Sequence, residues 1–325
     1  MNFLEELPEQ IFLDILLRVP YKSQSNIKQL LKAAKEKMEC PDFYQDRIKF
    51  GLAKKYICLL LSDRTSSQYN ARISIYDPVD QSCKLLSRIP ANANTTVYKI
   101  MNVNHKIVVL AFERLAFGRF YATPIFLIYD LLSSTWKYGA KFPSFRPNIK
   151  GFSCCASPDG TIYIAGARDR EAAVYKVDED KWELLPEMHQ EMGSCRGVFI
   201  EGMFYVIGFG NNGCQRFDPS TRVWTTIINM SMPHSCSIVL YAFGQLIAYG
   251  GGGIKQYDWQ GNVWRELDTK KPFHATVWCD RIFFCTSICT PGHLQFYVYK
   301  PGAASSERLI SFDDEEMRFE SIDTI

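Results

Sequence analysis

One phrase recurs four times in this chain, as IYDLLSSTW (128–136), VYKVDEDKW (174–182), RFDPSTRVW (216–224) and QYDWQGNVW (256–264). Each copy has an aromatic residue seven positions before its terminal Trp, although aromatic residues make up only 14% of the chain. Three of the four copies carry Asp directly after that aromatic, and the Trp residues lie 46, 42 and 40 residues apart. Self-similarity at a period of this length predicts a repeat architecture.

The remainder of each repeat reads as short strands. Apolar runs such as TIYIAGA (161–167) and MFYVIGF (203–209) precede the phrase, and tight-turn signals such as Asp159-Gly160 and Glu201-Gly202 precede the runs. Aromatic and β-branched residues between turn residues are typical of strands. The unit therefore predicts four antiparallel strands, which is one blade of a β-propeller.

Two weaker copies flank the four clear ones. Cys83 and Ser306 stand at the Trp position of these copies, and atypical terminal repeats are expected in such folds. The first blade shows only three strands after Lys55, so we expect a C-terminal strand within residues 308 to 322 to complete it. We predict six blades, marked by the aromatics Tyr76, Tyr129, Tyr175, Phe217, Tyr257 and Tyr299.

The repeat resembles the kelch repeat, in which a glycine doublet ends the second strand and a Tyr precedes a Trp. The doublet is intact at Gly250-Gly251 and is Ala165-Gly166 in another blade. The resemblance covers roughly residues 52 to 310 and implies a mainly β fold, a kelch-type propeller over residues 51–325. In this fold we expect Trp136, Trp182, Trp224 and Trp264 to fill the spaces between blades, with each indole N–H bonded to backbone.

The first fifty residues do not fit the repeat. LPEQIFLDILLRVP (7–20) places apolar residues at helical spacing, and SNIKQLLKAAKEKM (25–38) does so again with Ile27, Leu30, Leu31, Ala34 and Met38. Pro20 and Pro41 lie where helices must stop. We predict two helices here, and an N-terminal cap on the propeller would show the same periodicity.

Residues 1–50 resemble an F-box. The matching features are Leu7-Pro8, an apolar helix ending in Arg18-Val19-Pro20, and the Pro41-x-Phe43 ending. One departure is that Leu31, Lys32 and Ala34 stand where plant F-box/kelch proteins carry a Cys-Lys-x-Trp phrase. The resemblance implies that a Skp-family adaptor binds Leu7, Pro8, Ile11, Ile15, Leu16, Val19 and Pro20.

Bulk composition restricts the class of partner and compartment. The net charge is +2 with 22% charged residues, so no nucleic-acid partner is expected. The N-terminus has no secretory pattern. The sequence contains no run of 18 apolar residues, so we expect no membrane span. We expect a cytoplasmic and/or nuclear protein whose 11 cysteines are buried free thiols.

Catalytic constellations are sparse. The five histidines fall in predicted loops or at strand ends, and His234 and His274 could face the central channel. Since no channel-facing cluster repeats along the chain, we expect no metal, no cofactor and no enzymatic activity.

The resemblance to plant F-box/kelch-repeat proteins implies the substrate-recognition subunit of an SCF-type ubiquitin ligase. Its partners would be a Skp-family adaptor, a cullin scaffold reached through that adaptor, and a target protein marked for degradation. Two alternatives remain open at this stage, an adaptor-independent propeller scaffold and a propeller enzyme.

The loops between second and third strands vary most, and variable loops in repeat folds often form the binding face. Arginine and aromatic residues, the types enriched at binding hot spots, gather in three of them, 62–72, 112–123 and 167–172. Our hypothesis is a target site, favouring an acidic or mixed partner surface, formed by Arg114, Phe117, Arg119, Arg168 and Arg170.

Overall fold

The fold is described from a computed structural model of the chain. The described residues are 7–53, 55–63, 71–80, 82–90, 95–114, 122–143, 152–166, 170–209, 213–227, 230–233, 238–270, 272, 274–279, 281–287, 293–300, 307–313 and 317–324. Within these residues, four helices come first, and 24 strands follow.

The helices are short and begin at prolines in three cases. Pro8 and Pro20 directly precede the first two helices, and Pro41 is the first residue of the fourth. Proline is well suited to helix starts because its missing N–H would have no intrahelical partner there. The four helices are α1 (Glu9–Arg18), α2 (Tyr21–Leu30), α3 (Lys32–Met38) and α4 (Pro41–Lys49).

The strands form six antiparallel sheets of four strands each, which confirms the six-bladed propeller. Blade I contains β1 (Ile57–Asp63), β2 (Ala71–Asp77), β3 (Ser82–Arg88) and β24 (Met317–Thr324). Blade II contains β4 (Thr95–Val103), β5 (Lys106–Arg114), β6 (Ala122–Asp130) and β7 (Thr135–Tyr138). Blade III contains β8 (Phe152–Ala156), β9 (Thr161–Gly166), β10 (Ala172–Lys176) and β11 (Lys181–Leu184).

The other three blades have the same order. Blade IV contains β12 (Cys195–Ile200), β13 (Met203–Gly208), β14 (Cys214–Asp218) and β15 (Val223–Ile227). Blade V contains β16 (Ile238–Ala242), β17 (Gln245–Gly250), β18 (Gly253–Asp258) and β19 (Val263–Asp268). Blade VI contains β20 (His274–Trp278), β21 (Arg281–Ser287), β22 (His293–Tyr299) and β23 (Glu307–Asp313).

Strand register explains the seven-residue spacing of the repeated phrase. The third and fourth strands of a blade form a hairpin in which the aromatic and the Trp are directly opposite each other, as in Phe217 and Trp224. The two rings of that pair lie 5.1 Å apart between centroids. The same pairing joins Tyr129 to Trp136, Tyr175 to Trp182 and Tyr257 to Trp264.

The Asp after the aromatic shapes the hairpin turn. Asp218 Oδ1 accepts the backbone N–H groups of Ser220 and Thr221 at 2.8 and 3.4 Å. Such a side chain stabilises a turn by replacing a backbone acceptor. Asp77, Asp130 and Asp258 make the equivalent bonds in their blades.

The Trp of each phrase ties its blade to the preceding one. Trp224 Nε1 donates to the carbonyl of Pro186 at 2.7 Å, across the boundary between blades III and IV. Trp182 and Trp264 donate to the backbone in the same way, while Trp136 donates to the hydroxyl of Ser87. The expected inter-blade role is therefore confirmed, with a side-chain acceptor in one of the four cases.

The propeller core consists of separate apolar clusters between adjacent blades. Phe112 and Phe126 of blade II, for example, pack with Phe152 and Tyr175 of blade III in one cluster. All six marker aromatics are buried, with exposed fractions of 6% or less. The prediction that these positions lie in the core is confirmed.

A C-terminal strand completes blade I, as the three-strand reading of that blade required. β24 pairs antiparallel with β1 and lies innermost in the sheet. The six innermost strands each contact their neighbours on both sides, so the ring is closed by pairing the two ends of the repeat region. β24 spans Met317–Thr324, somewhat later than the predicted range.

Three local predictions need correction. The second helix is interrupted at Leu31, whose backbone is extended (φ −131°, ψ 111°), so α2 and α3 are separate helices. A further helix, α4, begins at Pro41, where the sequence predicted none. Among the described cysteines, which are all free, Cys83 and Cys279 are exposed instead of buried.

We predict that Trp224→Ala lowers the free energy of unfolding by about 3–5 kcal/mol, as for other large buried aromatic side chains. Trp224→Phe keeps the ring but loses the bond to Pro186, and should cost about 1 kcal/mol. Val223→Ala, at an exposed neighbour, is the matched control. Urea unfolding measures all three, and equal midpoints for Trp224→Ala and the control would contradict this packing.

Candidate protein-interaction surfaces

The four helices form a module with an apolar core of its own. Phe12, Leu16 and Leu17 of α1 pack against Ala34 and Met38 of α3. Leu31 and Phe43 complete the buried part of this cluster. The extended residue Leu31 is therefore a core residue, and the break beside it lets α2 and α3 turn around the same centre.

Arg47 connects this module to the chain that leads into the propeller. It is buried and donates to the carbonyl oxygens of Leu17, Val19 and Leu52. The first two carbonyls lie at the C-terminal end of α1, where helices leave acceptors without an intrahelical partner. Burial lowers the pKa of the guanidinium. Arginine is still the side chain best suited to donate to several carbonyl oxygens, because its N–H donors form a rigid fork.

The predicted adaptor residues fall into three groups by their exposure. Ile11 and Ile15 are 51% and 40% exposed, and Pro8 and Pro20 are exposed at helix starts. Leu7 and Val19 are half-buried against the module core. Leu16 is only 2% exposed and lies inside that core, so it supports α1 from within.

The position of the missing Trp also lies inside the module. Ala34 is fully buried in the core, so its small side chain affects internal packing and removes nothing from the exposed face. Leu30, Ile48 and Phe50 are further exposed apolar residues, at 79%, 48% and 59%. No helix was predicted for residues 41–49, so Ile48 and Phe50 were not among the predicted adaptor residues.

The helical module contacts one end of blade II, and the strand end that leads into a predicted target loop lies at the other end. The module contacts blade II at the β4–β5 turn, through His105, and at the β6–β7 turn, through Leu132. In a four-stranded antiparallel blade these two turns lie at one end. The connection between the second and third strands lies at the other end, after Arg114 in blade II. We call these the lower and upper faces.

The predicted target residues are only partly within the described chain. Phe117, Arg119 and Arg168 lie outside the described residues, and Arg114 is described only as the last backbone position of β5. Arg170 is described, and its exposed guanidinium forms an ion pair with Glu187. Its carbonyl accepts the N–H of Met188 at 2.8 Å, which anchors the loop before β10 to the loop after β11.

The central channel is lined by the innermost strands and encloses about 670 Å³. Three side chains lie in its wall at equivalent positions of their blades: Lys99, Arg196 and His274. In the second strand of each blade, one residue faces the marker aromatic, and the residue three positions later pairs with the channel residue. Lys99 Nζ donates to the carbonyl of Cys154 at 2.8 Å, and Arg196 lies 5.3 Å from the ring of Phe209. Aligning the repeats by register would have found these equivalent positions. His234, the other histidine predicted to face the channel, lies outside the described residues.

Two titratable side chains in the channel wall, His274 and Cys154, have pKa values shifted towards their neutral forms. Burial lowers the pKa of His274 to about 4 and raises the pKa of Cys154 to about 12. In the described part of the chain, no three His, Cys, Asp or Glu side chains are grouped as metal ligands would be. None of the helices within the described ranges is both long enough and apolar enough to cross a bilayer.

A helical module in front of a six-bladed propeller is the arrangement that the F-box and kelch motifs predict, and comparison with known proteins agrees. The chain is similar to the F-box/kelch-repeat protein At1g80440 of Arabidopsis thaliana, at 25% identity over 286 residues that cover 79% of each chain. It is also 25% identical to At1g15670 of the same plant, over 64% of this chain and 62% of that one. The protein SKIP20 is 26% identical over 69% of this chain and 66% of its own length.

These relatives confirm the resemblance to plant F-box/kelch-repeat proteins over much of the chain. No protein-family model matches the sequence. Among solved structures, a chain from the crystal structure of a nidogen/laminin complex superimposes with a TM-score of 0.56. That match covers 83% of this chain and 98% of the other at 10% identity, and it reports the shared fold alone.

Proposed function

We propose that this protein is the substrate-recognition subunit of an SCF-type (Skp–cullin–F-box) E3 ubiquitin ligase, acting in the cytoplasm or nucleus. Residues 1–50 form the F-box that binds a Skp-family adaptor and, through it, the cullin. The propeller, residues 51–325, holds a target protein for ubiquitination and proteasomal degradation. The ligase chemistry lies in other subunits, and this chain contributes by bringing the target close to it.

The observation that carries the proposal is the second apolar face of α1. Phe12 and Leu16 fill the module core, while Ile11 and Ile15 are exposed on the same ten-residue helix. A helix that is apolar towards both its core and solvent indicates a partner covering its outer face. The names of the relatives, which call them F-box proteins, support an adaptor as that partner.

The polar residues beside this face support the helix without covering it. Asp14 and Arg18 form an ion pair along α1, with their atoms 3.1 Å apart. Glu9 pairs with Lys37 of α3 at the start of the helix. The exposed isoleucines thus lie on a helix whose charged side chains already have partners within the module, as expected for a preformed docking surface.

We predict that Ile11→Glu weakens binding to a recombinant Skp-family adaptor by at least about 30-fold, since it places an unpaired charge in an apolar contact. Ile15→Glu should act in the same way. Gln10→Glu adds the same charge at an exposed polar position of α1 and serves as the control. Co-purification and calorimetry measure the binding.

These substitutions are sharper than truncation of Leu7, which also packs on the module core. Circular dichroism of both isoleucine variants should match the parent protein, because the replaced side chains are exposed. If the two variants bind the adaptor as well as Gln10→Glu does, the F-box assignment is wrong. If the parent itself does not bind, an adaptor-independent scaffold becomes the better description.

The target site belongs on the upper face in this proposal. Arg170 is exposed there, and Arg114 ends the strand that leads into the neighbouring loop. An exposed ion pair such as Arg170–Glu187 adds little to stability, so its arginine can exchange one carboxylate for another. We therefore keep Arg114, Phe117, Arg119, Arg168 and Arg170 as the proposed contact set for an acidic or mixed surface.

We expect the simultaneous change of these five residues to Ala to remove targets from the set that proximity labelling recovers under proteasome inhibition. Arg265→Ala is the control, because Arg265 is an exposed arginine that pairs with Asp258 at the lower face. Melting temperatures should stay within the range of surface substitutions. An unchanged target set in the five-residue variant would place the target site elsewhere.

A further inference from the structure

A lysine of the helical module is largely covered by its contact with the propeller. Lys28 of α2 extends to blade II, where its Nζ donates to the carbonyl oxygen of Leu132. Its side chain is only 13% exposed. Lysine is among the residues least often buried unless it is paired, so this placement indicates a specific contact between the module and the blade.

The charges around Lys28 come from both sides of this contact. Glu39 of the module lies 4.0 Å from Lys28 Nζ. The pKa of Lys28 is lowered because burial disfavours the ammonium more than Glu39 and Asp130 of blade II favour it. Asp130 also fixes the acceptor, since its Oδ1 takes the N–H groups of Leu132 and Ser133 at 2.8 and 3.2 Å.

A second contact lies beside the first. The ring of Tyr44 in α4 meets the ring of His105 edge to face, with centroids 6.0 Å apart. His105 is buried in the β4–β5 turn, its Nε2 is 3.6 Å from Asp130 Oδ2, and its carbonyl accepts the N–H of Leu131. Both lower turns of blade II are therefore joined to each other as well as to the module.

The connection between module and propeller is short and partly anchored. Leu52 and Ala53 donate their N–H groups to the carbonyl of Arg47, and Leu52 packs on the module core. Tyr56, just before β1, is buried. The segment therefore leaves little free chain between the last helix and the first strand, which favours one orientation of the two parts.

We infer that Lys28 and the Tyr44–His105 pair dock the helical module onto the lower face of blade II and hold it in one orientation. Lys28 is the positioning residue of this contact. The purpose of docking rests on the proposed function: it would keep the adaptor face and the upper-face target site at a fixed separation. Domains joined by small interfaces otherwise move relative to each other by default.

The experiment is a distance measurement by double electron–electron resonance on the full chain. Spin labels are attached through p-acetylphenylalanine at Ser25 of α2 and Val223 of β15, both exposed positions. The parent protein should give one narrow distance distribution. Lys28→Met should broaden it, because losing one charge-assisted hydrogen bond raises the undocked population by about tenfold to a hundredfold.

Lys32→Met is the matched control, since Lys32 is 89% exposed on the neighbouring helix, and it should leave the distribution narrow. Tyr44→Ala removes the second contact and decides the question if Lys28→Met does not fold. A broad distribution in the parent protein, or parent-like distributions in both docking variants, would overturn the inference. The distances do not involve the adaptor, so failure of adaptor binding would refute the proposed function and leave the docking inference standing.

Discussion

The propeller depends on one repeated interaction, the indole N–H of a hairpin Trp donating to the preceding blade. The hairpin register puts the Trp opposite a buried aromatic, as with Trp224 and Phe217, so the indole is held by its own blade while it bonds to the preceding one. An apolar cluster fills each gap between blades, and the indole hydrogen bond adds a directional contact to this apolar packing. Four of the six blades carry this Trp, and the ring closes when β24 pairs with β1.

Much of this could be predicted from the sequence because the determining contacts are local. The aromatic and the Trp lie within nine residues, and the turn between them is set by an Asp that bonds its own backbone. Features that depend on packing were harder to predict from the sequence. The break at Leu31 lies inside a continuous helical stripe, and only the need to bury Leu31 beside Ala34 and Met38 explains why the helix stops there.

The candidate interaction sites show the same difference between local sequence patterns and tertiary packing. Periodicity placed Leu16 with Ile11 and Ile15, yet adjacent positions on a helix point in different directions, and the fold turns Leu16 inward. The contact between Lys28 and the Leu132 carbonyl joins residues 104 positions apart, and no sequence motif predicts it. The Lys28 contact holds the helical module at the lower end of blade II, opposite the end at which Arg114 leads into a predicted target loop. A receptor with this arrangement would separate its two partners by the height of the propeller.

In the proposed function, the exposed face of α1 receives an adaptor while the propeller remains available to a target. Hydrogen–deuterium exchange of the full chain, with and without a recombinant Skp-family adaptor, tests it most directly. We expect new protection in the helical module, strongest in α1 around Ile11 and Ile15, and unchanged exchange in the six blades. Protection centred on the blades, or none in the module at saturating adaptor, would contradict it.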